Sequence, residues 1–158
     1  MLKKWLDSDI LEPCQGPYQN PWFLVQKLQK GKYCLINAAM HINKVTIRDV
    51  NISSNIEQFV KEFIDLQAVS LVNMQSEYNQ IELNKGSRDM TGFMTVLGLL
   101  QHCTLIQEGT NSVAQFCRAI VQILKDLISN VCRMFLNNIV VKGPQTDYND
   151  KEVLTGVR

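Results

Sequence analysis

Cysteine and histidine are the residues of this sequence that could bind a soft metal or act as nucleophiles, and their spacing decides whether they do. The five cysteines form no Cys-x-x-Cys pair, and His41 and His102 lie far apart along the chain. Structural zinc sites need closely spaced ligand pairs, and disulfide frameworks usually use an even number of cysteines. The pattern therefore predicts no metal site and free, mostly buried thiols in a reducing compartment.

Lysines form the other chemically suggestive cluster, at Lys27, Lys30 and Lys32. Residues 1–48 carry seven Lys/Arg and three Asp/Glu, a net charge of +4, whereas the remainder carries nine and twelve, a net charge of −3. A basic stretch suits contacts with the phosphates of nucleic acid. A solvated hairpin edge without a partner explains the same lysines, so charge leaves both interpretations open.

Length and composition indicate one globular domain. The chain has 158 residues, of which 46% are hydrophobic and 20% charged. It contains no apolar run near the ~18 residues that a membrane span requires, and its first residues do not resemble a secretion signal. We expect an intracellular protein, in the cytoplasm or the nucleus, with no membrane association.

Apolar patterning predicts hairpins alternating with helices, which is an α+β fold with an antiparallel sheet backed by helices. The predicted elements are an extended arm at 11–22, a hairpin of 22–27 with 32–37, a helix at 53–66, a buried strand at 68–74, a hairpin around Gly98-Leu99, a helix at 111–129 and a hairpin at 131–143.

Two local signals refine these elements. Ser54 with Glu57 three residues later forms a capping box at the start of the first predicted helix. Asn137 and Asn138 separate two β-prone runs, and asparagine tolerates the left-handed backbone of a tight turn. The last hairpin is therefore predicted to turn at this pair.

Six stretches of the sequence, in order, resemble the reverse transcriptase of Gypsy-type LTR retrotransposons, especially the fungal lineages. They are FLVQKLQKGKYCLIN, INKVTIRDVN, SLVNMQSEYNQIEL, SRDMTGFMTVLGLL, LIQEGTNSVAQF and FLNNIVVKGPQTDYN, and the resemblance covers roughly residues 9 to 158. It implies the fingers and palm of a right-hand polymerase without a thumb. The implied division is an arm and fingers hairpin at 1–48, the palm with the rest of the fingers at 49–143, and a polar tail at 144–158.

The family joins a nucleotide to a primer end with two Mg²⁺ ions, which three aspartates hold. The matching positions in this sequence read Asn73, Asn137 and Asn138. An amide oxygen can ligate a metal but brings no negative charge to balance two cations. The resemblance therefore implies an inactive relative of RNA-directed DNA polymerase, with no metal and no cofactor expected.

Other positions also depart from the family pattern. Glu77 and Glu108 stand where the family has glycine, and Cys34 replaces an arginine that contacts phosphate. Together with the three asparagines, these changes each follow from a single G-to-A or C-to-T change in a codon. A degenerate copy of a silenced, repeated element would carry such a set.

Some positions keep the residues of the family, so functions other than that of an inactive copy stay open. Lys27, Tyr78 and Gln107 match residues that line the family's nucleotide site, and Lys30 and Lys32 could contact nucleic acid. The alternatives are a non-catalytic module that weakly binds an RNA or DNA primer–template, and a polymerase with residual activity. An uncovered apolar palm surface would also favour self-association.

Overall fold

Five α-helices and eight β-strands occupy the residues that this computed structural model describes, which are 1–29, 31–49, 56–146 and 151. The helices α1 to α5 are Leu2–Asp7, Met40–Val45, Ile56–Phe63, Lys85–Arg88 and Ser112–Ile123. The strands β1 to β8 are Leu11–Pro13, Trp22–Gln26, Tyr33–Asn37, Val69–Asn73, Phe93–Thr95, Gly98–His102, Cys132–Phe135 and Asn138–Lys142. Lys30 and Ser54 lie outside the described residues, so the predicted capping box does too.

All strand pairs within the sheets are antiparallel. The strands form three sheets, with the orders β1-β6-β5, β2-β3 and β4-β8-β7. The predicted α+β fold of helices with antiparallel strands is confirmed, but with three small sheets rather than one. The three predicted hairpins are β2-β3, β5-β6 and β7-β8.

The chain divides into two compact units. The first comprises the described residues of Met1–Val50 and Ser76–Phe116, and the second those of Asn51–Gln75 and Cys117–Arg158. The core of the first unit contains Leu11, Leu35, Phe93 and Leu100 from four different strands, each at most 5% exposed. Burying four such side chains supplies much of the hydrophobic stabilisation of this unit.

A buried arginine, Arg88, connects three segments of the first unit. Its guanidinium donates to Glu12 at 3.2 Å and to Glu82 at 2.5 Å, and its Nε donates to the Leu83 carbonyl at 3.1 Å. Gln101 also donates to Glu12, at 2.7 Å. Because a buried guanidinium is costly without partners, these bonds fix α4 against β1 and the loop before α4.

The second unit is built on the β4-β8-β7 sheet. Helix α3 packs against it through Phe59, whose ring centroid lies 5.3 Å from that of Phe135. Along β7, Cys132 and Met134 are buried, whereas Arg133 and Phe135 are partly exposed. This is the alternation expected of a strand with one buried face. Cys117 and Ile120 of helix α5 are also buried.

Two predictions about these elements, the burial of β4 and the end of α5, need correction. Strand β4 forms as predicted but is exposed along its whole length, because it is an edge strand with β8 as its one neighbour in the sheet. Helix α5 ends at Ile123 rather than 129, before the left-handed residue Ser129 reverses the chain. The predicted extended arm at 11–22 begins with β1, which pairs with β6.

The turn of the last hairpin also differs from the prediction. Phe135 pairs with Asn138, so the two turn residues are Leu136 and Asn137, and Asn138 is the first residue of β8. The left-handed residue is Leu136, with φ of +54°, and not an asparagine. A leucine in this conformation is strained by roughly 1–2 kcal/mol, since its Cβ approaches the following carbonyl.

An ion triad holds α3 on the sheet of the second unit. Glu62 forms a close bidentate pair with Arg133 and lies 3.2 Å from Lys142 Nζ, which also sits 5.8 Å from the centre of the Phe63 ring. Hydrogen bonds from Arg133, followed by those from Lys142, lower the pKa of Glu62 from 4.5 to about 2, against the opposing effect of burial.

This pKa shift predicts acid sensitivity of the second unit. The carboxylate of Glu62 stabilises the fold above its unfolded pKa of 4.5, and that contribution is lost as pH falls towards about 2. Denaturant unfolding between pH 7 and pH 2 should show a loss of stability in this window that Glu62→Gln largely removes. An equal pH slope in both proteins would contradict the role of the triad.

The strained turn gives a second prediction. Leu136→Gly should raise the free energy of unfolding by about 0.5–1 kcal/mol, because glycine adopts a positive φ without strain and Leu136 is half exposed. Asn137→Gly is the matched control, since Asn137 has no positive φ, and it should lower stability. Urea denaturation measures both; two changes of the same sign would contradict this account.

Candidate functional site

Three amide side chains meet at one end of the sheet in the second unit. The register pairs Asn73, the last residue of β4, with Asn138, the first residue of β8. Asn73 Nδ2 donates to Asn138 Oδ1 at 3.0 Å, and Asn138 Nδ2 donates to Asn137 Oδ1 at 3.4 Å. The three positions predicted from the resemblance are therefore brought together, as a chain of hydrogen-bonded amides.

This amide cluster does not fit the two cations that the resemblance implies. Its members are neutral, and Asn73 is exposed to solvent. Among the described residues, no group of three or more His, Cys, Asp or Glu side chains could hold a metal ion. Small divalent cations need anionic oxygens, so these residues give no basis for a two-metal reaction.

The three positions that the resemblance predicts for a nucleotide site lie together in the first unit. Lys27, Tyr78 and Gln107 all line one cavity of about 290 Å³, which we call the first-unit cavity. Lys27 follows β2, Tyr78 lies in the helical turn Glu77–Gln80, and Gln107 lies in the loop after β6. Their proximity is consistent with a shared role, although a role in nucleotide binding stays a prediction.

The three departures that the sequence singles out line the same cavity. They are Cys34, Glu77 and Glu108. Glu108 is half-buried, and burial raises the pKa of its carboxyl. The wall therefore carries the carboxyl groups of Glu77 and Glu108, which disfavour an anionic ligand, and the ammonium group of Lys27, which favours one.

Two local features support the wall of the cavity. Asn43 of α2 donates to the Glu108 carbonyl at 2.8 Å and accepts from the Thr110 amide at 2.8 Å, which fastens the loop after β6. Ser76 has a left-handed backbone, with φ of +52°, directly before the turn that carries Glu77 and Tyr78. Such a conformation in a non-glycine residue persists only where surrounding bonds hold it.

The lysines flank the loop of the β2-β3 hairpin. The Lys27 amide donates to the Lys32 carbonyl at 2.8 Å, which closes the hairpin next to the loop, and both side chains are exposed. Lys30 lies outside the described residues. Two exposed cations beside one loop suit phosphate contacts, and they equally suit a solvated hairpin end.

Sequence reasoning missed Asn37, which also lines the first-unit cavity and is fully buried. Its Nδ2 donates to the Thr91 carbonyl at 2.7 Å, whereas its Oδ1 accepts no hydrogen bond from the described residues. Alternation along β3 places Asn37 on the same side as the buried Leu35, which was the available signal.

His102 and the cysteines behave as structural residues. His102 is buried against Trp5 and Phe93, and burial lowers its pKa to about 4, so its ring is neutral at pH 7. All five cysteines are free thiols, as predicted. Burial raises the pKa of Cys103 to about 11, which leaves its thiol unreactive. No helix of the described chain has the length and apolar character to span a membrane.

Comparison with known proteins finds relatives among the polyproteins of mobile elements. No family model matches the sequence. The chain is 25% identical over 156 residues to the retrovirus-related Pol polyprotein from transposon opus of Drosophila melanogaster, covering 96% of the chain and 16% of that protein. The corresponding polyprotein from transposon gypsy is 23% identical over 145 residues, and that from transposon 412 is 30% identical over 102 residues.

The other two matches also cover only a small part of each polyprotein. The gypsy match covers 89% of the chain and 14% of the polyprotein, and the 412 match covers 61% and 8%. The chain thus spans less than a fifth of the length of the curated relatives.

Solved structures of similar fold are viral reverse transcriptases. A foamy viral protease-reverse transcriptase in complex with dsDNA matches 94% of the chain and 31% of its own, with a TM-score of 0.79 and 16% identity. The native prototype foamy virus enzyme matches 90% and 19%, with a TM-score of 0.79 and 17% identity. At these identities the likeness establishes the fold. The chain therefore has the fold of part of these reverse transcriptases, and its sequence is similar to part of several retrotransposon Pol polyproteins.

Proposed function

We propose that this chain is a degenerate copy of a Gypsy-type reverse transcriptase domain that does not catalyse nucleotide transfer. The observation that carries the proposal is the amide cluster of Asn73, Asn137 and Asn138 at the end of the β4-β8 pair. Two hydrogen bonds link the three neutral amides, whereas three carboxylates at this spacing need cations or shared protons to offset their repulsion.

The second-unit surface supports a further part of this proposal. Val69 and Leu71 of β4 are exposed, as are Val60 and Ile64 at helix α3 and its end. Exposed apolar side chains near an edge strand favour association. We therefore propose that the chain self-associates through this uncovered palm face.

Nucleic-acid binding without chemistry is the second candidate function. The exposed side chains of Lys27 and Lys32 beside the hairpin loop favour it, and the structural relatives include complexes with dsDNA and with an RNA/DNA hybrid. In this interpretation Lys30 adds a third cation, and Tyr78 and Gln107 keep their positions without a reaction.

Primer extension tests the main proposal directly. On an RNA template with a DNA primer, the chain should add no nucleotide with either Mg²⁺ or Mn²⁺. Incorporation that disappears in Asn73→Ala would overturn the proposal and establish residual polymerase activity. The Asn130→Ala variant, which alters an exposed asparagine outside the amide cluster, serves as the control.

Restoring the carboxylates tests the electrostatic argument. The triple variant Asn73→Asp, Asn137→Asp, Asn138→Asp should unfold at lower temperature than the wild type without divalent ions, since each close pair of carboxylates repels by roughly 1–4 kcal/mol. Mg²⁺ or Mn²⁺ should raise its melting temperature while leaving that of the wild type unchanged. We expect no primer extension, because Cys34, Glu77 and Glu108 are unchanged.

A salt titration tests the second candidate. If the hairpin lysines contact phosphates, affinity for a primer–template duplex should fall steeply between ~50 and ~200 mM salt. Lys27→Ala and Lys32→Ala should each reduce the slope of log affinity against log salt by about one, and Lys125→Ala, an exposed lysine of the second unit, should not. Affinity that is absent at low salt, or unaffected by the hairpin variants, rejects this candidate.

A further inference from the structure

Among the described residues, the chain covers one of the two edges of the β4-β8-β7 sheet. At β7, the Cys132 amide donates to the Leu127 carbonyl at 3.1 Å, and the Ser129 amide donates to the Cys132 carbonyl at 3.0 Å. These bonds occupy backbone groups of β7 that face away from β8, so a further strand cannot pair with them. At the opposite edge, β4 has β8 as its one described neighbour.

Hydrogen bonds show which backbone groups of β4 point away from the sheet. Lys142 of β8 pairs with Val69, but its amide donates to the Val131 carbonyl at 2.8 Å, on the side of β7. Val69 and Lys142 are therefore a pair without hydrogen bonds between them. Because antiparallel ladders alternate, the N–H and C=O groups of Val69, Leu71 and Asn73 all point outward from the sheet.

The sequence of β4 does not protect this open edge. Residues 69–73 read VSLVN, which contains no charge, proline or glycine. Natural edge strands usually prevent further pairing with a lysine, a proline or a bulge. The side chains of Val69 and Leu71 are 52% and 65% exposed, and that of Asn73 is also exposed. An aspartate at position 73 would bring a charge to this edge, whereas the asparagine brings none.

The open edge is complementary to itself. If Leu71 lies opposite its counterpart in a second copy, Val69 lies opposite Asn73, and all three outward residues form hydrogen-bonded pairs that exchange two N–H···O bonds each. A shift of two residues along the strand leaves two of the three pairs. The symmetric pairing places no charged side chain opposite another. A second copy always carries this matching sequence, whereas a peptide of unrelated sequence does not.

We propose that two copies of the chain join along β4, antiparallel to each other, about a two-fold axis at Leu71. The two sheets then form one sheet with the order β7-β8-β4-β4-β8-β7. This inference rests on the proposed self-association and specifies its surface, partner and register. Two short strands give a contact below the roughly 1,200 Å² of lasting interfaces, so we expect a dissociation constant on the order of 100 µM.

Amide hydrogen exchange tests the surface. As the protein concentration rises from about 10 µM to about 1 mM, the amides of Val69, Leu71 and Asn73 should exchange about fourfold more slowly, because the monomer fraction falls by that factor. The amides of Ser70 and Val72 point towards β8 and should not change. Association through side chains alone does not protect alternate amides.

Isotope-filtered NOE spectra test the register. In an equimolar mixture of labelled and unlabelled chain, Hα of Ser70 in one copy and Hα of Val72 in the other should give a strong cross-peak. The proposed register makes these residues a pair without hydrogen bonds, with Cα atoms about 4.5 Å apart. A different register brings other residues together.

Charges introduced at the axis make the test specific. Leu71→Lys and Leu71→Glu should each weaken dimerisation about tenfold in sedimentation equilibrium, because each places like charges directly opposite one another. An equimolar mixture of the two variants should dimerise again, since the opposed charges then attract. Val96→Lys, which changes an exposed valine of the first unit, should have no effect.

The outcomes separate this inference from the proposed self-association. A chain that stays monomeric at about 1 mM would overturn both. Dimers without protection at alternate amides, or dimers that Ile64→Lys abolishes and Leu71→Lys leaves intact, would overturn this inference alone. Protection of the outward amides at every concentration would also overturn it, and would assign the edge to another part of the same chain. Primer extension bears on neither.

Discussion

The register between β4 and β8 sets Asn73 directly opposite Asn138, and the electrostatic character of the sheet end depends on that pairing. Across 3.0 Å, Asn73 Nδ2 donates a hydrogen bond to Asn138 Oδ1, whereas two carboxylates at this distance would have to share a proton or bind a cation. The same backbone accommodates either solution. The side-chain type, and not the fold, therefore decides whether this end of the sheet can bind metal.

In the first unit, too, the residues that hold the backbone in place differ from those that set the charge of the site. Its cavity is held by features that do not depend on ligand charge, such as the bonds of Asn43 to the loop after β6 and the left-handed residue Ser76. The charges at its wall come from Glu77 and Glu108, which can change without altering those bonds. The framework and the charges at the wall are thus set by different residues, and similarity of fold does not by itself carry function.

Local patterns in the sequence predicted the hairpins and the presence of α3 and α5 well. Two apolar runs at 22–27 and 32–37 around a glycine-containing connection predicted the first hairpin, and the helical spacing of Phe116, Cys117 and Ile120 matches their burial. Burial of β4 could not be predicted, because the sequence Val69–Asn73 is equally apolar in a central strand or an edge strand. Sheet order depends on long-range pairing, which short windows do not contain.

The turn at Leu136 and the environment of Asn37 show a second kind of limit. Asparagine is the better residue for a left-handed turn position, yet pairing of Phe135 with Asn138 shifts the turn by one residue and gives that position to leucine. Register is set by which side chains the whole sheet buries, here Cys132 and Met134 on one face, and local turn preference yields to it. Likewise, the local sequence around Asn37 does not reveal that its Oδ1 accepts no hydrogen bond. The fold determines this, because the side chain bonds through Nδ2 to the carbonyl of Thr91, 54 residues further along the chain.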